Sequence, residues 1–346
     1  MLLEDMLNHQ TKIPTEWHTS IREVGQKFDS AAEVRLALQY YSIAKQFEYE
    51  SMVHATNPGS RVIIDADDGR FRRLFISYNV CIEGFIAGCM PLLFLDGIFI
   101  KDRYRGILLS VTGENPYQPP HRLVMISDAD KGIRAAVEEF FPDAFHSRCV
   151  LHLVENFKKK MKDFGHNTNV VTTLGDLLQS AAYKFTISEW DNNMKELATI
   201  DHRAYVTIME YSPDRWANAH FPGIRYGHVT SNVAESFNSW IRKARLLRIL
   251  PLVETIQKQI MEHMHERRLV GQKWSGYLCP EAEMVLSDNI QHGSCLAIKH
   301  STEDIVEVES NKTCRVDLKN RTCSCKSWDI TCILCKHACA AITWMG

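Results

Sequence analysis

The runs PLLFLDGIFI (91–100), GILLSVTG (106–113) and RLVMISD (122–128) decide the fold. Each is rich in branched apolar residues and bounded by turn-forming residues, the composition of buried strands. Residues 131–141 then place Ile133, Val137, Phe140 and Phe141 on one side of a short helix that Pro142 closes. AFHSRCVLH (144–152) resumes as a strand leading into another helix. Strands alternating with helices predict an α/β core.

Working outward, residues 28–48 carry Val34, Leu38, Tyr41 and Ala44 at helical spacing behind Ser30, an N-cap with Glu33 three positions on. After the turn cluster ATNPGS (55–60), the alternation in RVIIDADDGRFRRLFISY (61–78) and its Asp68-Gly69 step predict a β-hairpin. Residues 153–220 read as helical and aromatic, an all-α insertion. TSNVAESFNSWIRKARLL (230–247) puts Val233, Phe237, Trp240, Ile241 and Ala244 on one stripe. Pro251 opens a second amphipathic helix with Leu252, Val253, Ile256, Ile260 and Met264 on one face. Residues 295–346 hold seven of the eleven cysteines among short strand signals and read as a separate small module.

The 346 residues, 45% hydrophobic and 24% charged, exclude a disordered or fibrous chain. With 40 basic and 42 acidic residues the net charge is −2, so any DNA contact has to use local patches. The longest charge-free apolar stretch, Gly84–Leu95, contains Pro91 and falls short of the ~20 residues of a membrane helix, so no membrane partner is expected. Glu4 and Asp5 interrupt the N-terminus before any apolar segment, and no secretory signal is expected. The cysteines then read as reduced thiols and metal ligands of a cytosolic or nuclear protein.

CSCKSWDITCILCKHACAAI (323–342) contains Cys323-x-Cys325 and, after nine residues, Cys335-x-His337. Three thiolates and one imidazole are the donor set of a closed, tetrahedral structural zinc site. A bend between Cys323 and Cys325 would turn both sulfurs toward one ion. The competing reading is a set of buried free thiols, and Cys332-x2-Cys335 is a zinc-like spacing too.

Two of the apolar runs lead into acids, Asp96 and Asp128. Carboxylates at the ends of neighbouring parallel strands can share magnesium, and Glu235 is a candidate third member. Each acid also has a plain structural reading. Asp96-Gly97 is a turn dipeptide, Asp128 is placed to cap the helix at 131, and Glu235 follows Asn232 as a capping-box partner. Two basic runs, Lys158, Lys159, Lys160 and Lys162, and Arg242, Lys243, Arg245 and Arg248, are candidate DNA contacts or solvated helix faces.

The CxC…CxH pattern around Trp328-Asp329 resembles the SWIM zinc finger. This resemblance implies a structural zinc held by Cys323, Cys325, Cys335 and His337, with Cys314, Cys332 and Cys339 outside the set. A second resemblance covers roughly residues 55–270. GRFRRLFISY, IEGFIAGCMPLLFLDGIFIK, MISDADKGIRAAV, FPDAFHSRCVLHLVENFKKK and TSNVAESFNSWIRKAR are similar to the transposase domain of plant Mutator-like elements. That family implies a ribonuclease-H-like fold, nuclear localisation and a magnesium-dependent D–D–E triad, here Asp96, Asp128 and Glu235. It also implies a Cys-x2-His pair, here Cys149 and His152. A second metal site is one reading of these two, but with no partner pair at convincing spacing they are read as packing residues.

The chain departs from the family. Only GENPYQPPHR (113–122) separates the second strand from the run ending at Asp128, where the family has a further strand and a crossover helix. Ten residues reach ~33 Å and the crossing needs about 10 Å, so the aspartates can still meet, while the second strand becomes an exposed edge. Residues 1–54 read as a remnant of the family's N-terminal DNA-binding domain, 55–270 as a transposase domain shortened near 113–122, and 295–346 as the zinc module. The expected fold class is therefore α/β, a truncated ribonuclease-H-like core with an all-α insertion and a small C-terminal zinc-binding module. The expected function is that of a zinc-binding, transposase-derived nuclear protein that contacts DNA, or chromatin or transcription proteins, without catalysis. The alternatives are an active D–D–E transposase using magnesium and a dimerising interaction module without DNA contact.

Overall fold

The computed structural model describes residues 20–21, 26–67, 70–88, 90–101, 106–113, 122–128, 130–276, 278–300, 302 and 304–345. The chain divides into two compact units, Met1–Cys89 with Ile249–Val253, and Met90–Arg248 with Glu254–Gly346. Much of the expected N-terminal remnant, residues 1–19 and 22–25, lies outside the described residues.

In the first unit helix α1 (Ala31–Thr56) starts at the expected cap. The Ser30 Oγ accepts the Glu33 N–H at 3.1 Å, and the Glu33 carboxylate accepts the Asp29 N–H at 2.7 Å. Strands β1 (Arg61–Asp67) and β2 (Arg70–Ser77) form the expected hairpin, paired from Arg61 opposite Ser77 to Asp67 opposite Arg70 with a register shift between Asp65 and Ala66. Its Asp68-Gly69 tip lies outside the described residues. Helix α2 (Asn79–Gly88) was not expected, because its two glycines and continuous apolar run carry no amphipathic period.

The second unit is built on a four-stranded sheet of β3 (Leu92–Phe99), β4 (Ile107–Gly113), β5 (Val124–Ser127) and β6 (Phe145–Arg148), in the order β4-β3-β5-β6. β4 pairs antiparallel with β3, β5 lies parallel on the other side of β3, and β6 lies parallel beside β5. Every residue of β5 is buried, as a central strand covered on both faces requires. Helix α3 (Lys131–Phe140) joins β5 to β6, and α4 (Val150–Asp163) leaves β6. β4 is an edge strand, and the sheet face carrying Phe99, Ile107, Leu109 and Val111 is open to solvent, at 72%, 62%, 65% and 59% exposure.

The helical insertion comprises α4, α5 (Thr168–Tyr183), α6 (Ile187–Ile200) and α7 (His202–Met209). It closes around Leu153, Phe157, Met161, Leu174, Trp190 and Trp216. Helix α8 (Asn232–Trp240) returns the chain to the sheet and packs on β3 and β4. The helical stripe expected to continue to Ala244 breaks at Trp240. Ile241 and Ala244 are nevertheless buried, because a 3-10 turn at Ala244–Leu246 brings the chain alongside Lys101, whose N–H donates to the Arg245 carbonyl at 3.0 Å. Helices α9 (Ile249–Gly271) and α10 (Pro280–Gly293) follow.

The C-terminal module is an antiparallel sheet of β7 (Ala297–His300), β8 (Ile305–Glu309), β9 (Cys314–Asp317) and β10 (Thr322–Cys323). A short helix α11 (Ser327–Thr331) and the last helix α12 (Lys336–Met345) complete it. Val306, Val308 and Val316 from the strands bury against Ala338, Ala340 and Ala341 of α12.

Candidate functional site

The three acids find different surroundings from those their local sequence suggests. Asp96 lies inside β3 rather than at its end, since β3 continues to pair as far as Phe99 opposite Ile107, so Asp96-Gly97 is no turn. On β3 the buried face takes Leu92, Phe94 and Asp96, the last only 7% exposed. Asp128 does not cap α3. Asp130 does, accepting the N–H groups of Gly132 and Ile133 at 2.8 and 3.0 Å, while Asp128 accepts the N–H of Asp130 at 3.0 Å. Leu95 is the register partner of Ser127, so the next residues, Asp96 and Asp128, emerge side by side from parallel strands. Glu235 sits in the first turn of α8, whose N-cap Ser231 makes no side-chain cap bond, so the expected capping box is not formed.

The electrostatics tie these groups together. Burial pushes the Asp96 carboxyl above its ordinary value, opposed by the Gly97 N–H and by His152, and the neighbouring Asp128 adds to the rise. The Asn238 amide donates to Asp96 Oδ2 at 2.5 Å. His152 is pushed up to about 9 by the Cys149 thiol beside it, against the effect of burial, and the charges of Asp96 and Glu235 add to the rise. Burial works to raise the Cys149 pKa, but its contacts with His152 and Ser231 pull it below the usual thiol range. Cys149 packs in the apolar core beside Leu92, Phe94 and Ala234, and its thiol and the His152 imidazole also lie close to Glu235.

Residues near the site also order its backbone. The Cys149 N–H donates to the Ser127 carbonyl at 2.7 Å, and the Ser231 N–H donates to Cys149 Sγ at 3.3 Å. Asn238 and Ser231 were missed in the sequence. Asn238 carried one available signal, its position three residues after Glu235, on the same face of α8.

The two basic runs separate. Lys158 pairs with Asp176 at 3.3 Å and Lys160 with Glu210 at 3.4 Å on the helical insertion, while Lys159 and Lys162 are exposed there. The second run follows α8. The Arg245 guanidinium donates to the Phe99 carbonyl at 3.4 Å, next to Lys101, and Arg242, Lys243 and Arg248 are exposed.

In the C-terminal module the donor atoms of Cys323, Cys325, Cys335 and His337 all lie within 4.8 Å of one another. A turn closed by the Lys326 N–H to the Cys323 carbonyl, 2.8 Å, supplies the bend, with Lys326 in the left-handed region at φ 63°. His337 Nδ1 lies 3.8 Å from Cys323 Sγ and 3.9 Å from Cys335 Sγ. His337 Nε2 meets Ser310 Oγ at 3.2 Å, and that hydroxyl donates to the Lys312 carbonyl at 2.8 Å. The Ser310 oxygen is thus an acceptor, Nε2 carries the proton, and the Nδ1 lone pair is left facing the three sulfurs, the ring orientation a metal-bound histidine adopts. Cys335 is drawn down by hydrogen bonding from Cys323 and Cys325, so it ionises first, and Cys323 is pushed up. Burial holds the Cys314 and Cys339 thiols up, and none of Cys314, Cys332 and Cys339 joins the donor set.

These four residues fit zinc in donor type, proximity and ring orientation. The magnesium expectation fits less well. Asp96 and Asp128 offer the oxygen donors that magnesium takes, but the close set containing Glu235 is Cys149, His152 and Glu235, again within 4.8 Å of one another. A thiol and an imidazole are poor magnesium ligands.

No curated protein matches the chain significantly. Residues 121–268, a span that includes Asp128, Cys149, His152 and Glu235 but begins after Asp96, match the Mutator family of transposases. Residues 313–343, which include all four zinc donors, match the SWIM zinc finger, so the chain joins a segment similar to Mutator family transposases to a SWIM-type module.

Proposed function

We propose that this is a transposase-derived nuclear protein, stabilised by a structural zinc, that binds DNA without cutting it. The observation that carries the reading is the placement of Arg245 and Lys101 at the end of β3, the strand that bears Asp96. Arg242, Lys243 and Arg248, exposed on the same short segment as Arg245, extend this charge, and a phosphate backbone would follow it. Lys158 and Lys160, already paired with acids, contribute less, and Lys159 adds to the edge of the footprint. Chromatin or transcription proteins are further partners of such a surface.

The sheet is read as a ribonuclease-H-like core that lacks one strand and its crossover helix. The order β4-β3-β5-β6 and the side-by-side aspartates support that reading. The exposed face of β4 supports inactivity, since two-metal phosphoryl transfer needs carboxylates held to within about 0.5 Å by a rigid surround. An active magnesium-dependent transposase is the alternative, favoured by the register of Asp96 with Asp128.

The test is a mobility-shift titration of the full chain on duplex DNA. Binding should weaken on the order of a hundredfold between 50 and 200 mM salt if about four phosphates are contacted. Arg242→Glu with Lys243→Glu should weaken it at least tenfold and flatten the salt slope, while Lys160→Glu changes little. No shift at low salt would remove DNA from the reading.

A further inference from the structure

We infer that the chain holds a second transition-metal site, separate from the SWIM module, formed by Cys149, His152 and Glu235 and selective for zinc-like cations over magnesium. It goes beyond the proposed function, requiring neither DNA binding nor inactivity.

The geometry assembles the donors from two distant places. Cys149 is the N-cap of α4 and His152 lies three residues on, so the thiol and the imidazole project from one side of the helix start. Glu235 arrives from the first turn of α8, and the three donor atoms lie within 4.8 Å of one another. A cation about 2.0–2.3 Å from each donor is consistent with such spacing. His152 Nδ1 is buried and makes no hydrogen bond. A surround is already in place, with the Ser231 N–H donating to Cys149 Sγ and the Cys149 backbone fixed to Ser127. Hydrogen bonds of this kind orient metal ligands.

The donor chemistry selects the ion. One sulfur, one nitrogen and one carboxylate oxygen suit zinc, with a fourth position open to water or another oxygen. Magnesium prefers an oxygen-only shell. A zinc ion here would hold Glu235 to the start of α4 and so take that carboxylate away from any oxygen-ligated ion shared by Asp96 and Asp128.

The experiment is zinc stoichiometry of the purified full chain by elemental analysis, paired with cobalt(II) absorption. The wild-type chain should carry two zinc ions per molecule and Cys335→Ser one, with Cys332→Ser still at two. Cys149→Ser, His152→Ala and Glu235→Gln should each carry one. In the Cys335→Ser background, cobalt should still give a sulfur-to-metal charge-transfer band, and Cys149→Ser should abolish it. Glu235→Gln guards against misfolding, since it leaves the buried thiol untouched, and its far-UV circular dichroism should match wild type. One zinc in the wild-type chain, or an unchanged count in Glu235→Gln and Cys149→Ser alike, would overturn the site. Because metal is counted without DNA, failure of the mobility-shift test leaves this result interpretable.

Discussion

The side-chain amide of Asn238 donates to Asp96 Oδ2 at 2.5 Å across 142 residues of sequence, and both residues are buried. This bond fixes α8 to β3. Since Asn238 follows Glu235 by three residues on the same helix face, it also sets where Glu235 stands relative to Asp96.

Removing that amide leaves the buried carboxylate with one fewer donor. Asn238→Ala should destabilise the fold by about 1–3 kcal/mol and push the Asp96 pKa still higher. Asn238→Asp should be worse at neutral pH, because two buried carboxylates would then face each other. Urea unfolding of the two variants at pH 7 measures both, and equal stability for the two would argue against the contact.

Arg225 is 1% exposed and donates to Ser147 Oγ at 2.9 Å, the Trp216 carbonyl at 3.1 Å and Asn218 Oδ1 at 2.5 Å. These acceptors are neutral, and burial pushes its pKa well down, to about 9. Arg225→Ala, which leaves both a cavity and orphaned acceptors, should cost about 3–5 kcal/mol. Arg225→Met, which keeps the volume, should cost less. The order of the two denaturant midpoints checks this, and a milder effect for alanine would contradict it.

His146 gives the fold a pH dependence. Its Nε2 meets Ser127 Oγ at 2.7 Å, and burial, with Arg215 and Arg134 nearby, holds the imidazole below its ordinary value. The unfolded chain takes up a proton near pH 6.5 and the folded chain only at lower pH, so in that window the unfolded state binds more protons. The His146 contribution to stability should therefore fall as pH drops from about 7 to 5, against the opposite contributions of the raised His152 and Asp96 groups, so His146→Gln should make the chain relatively more acid-resistant than wild type over that range. Unfolding midpoints across the range test it, and identical slopes for wild type and variant would exclude His146 as the source.

The bare side of β4 offers a gain rather than a loss. Leu109→Lys and Val111→Glu place charges at positions already 65% and 59% exposed. Each should change stability by no more than about 0.5 kcal/mol and should reduce self-association through the open edge. Light scattering during a thermal ramp reads the effect, and unfolding of either variant would mean that this face is covered in solution.

Much of this was legible along the chain. The strands 92–99, 107–113 and 124–127 follow from dense branched apolar runs, the α1 start from Ser30 and Glu33, and the four-donor module from its spacing. What remained hidden is tertiary. Gly97 suggests a turn after Asp96, yet β4 pairs straight past it. Two aspartates near α3 compete for one cap, and backbone geometry gives it to Asp130. Cys149 and His152 show only their mutual spacing in sequence. Their third partner comes from α8, whose position depends on burial of Ala234 and Asn238 against the sheet.

The most direct test of the account incubates the purified full chain with supercoiled plasmid in Mg²⁺ and then Mn²⁺, at salt low enough for binding. The account predicts retarded plasmid and no nicked or joined product above that of an Asp96→Ala control. Cleavage that is lost alike in Asp96→Ala, Asp128→Ala and Glu235→Ala would contradict it and establish a working transposase centre.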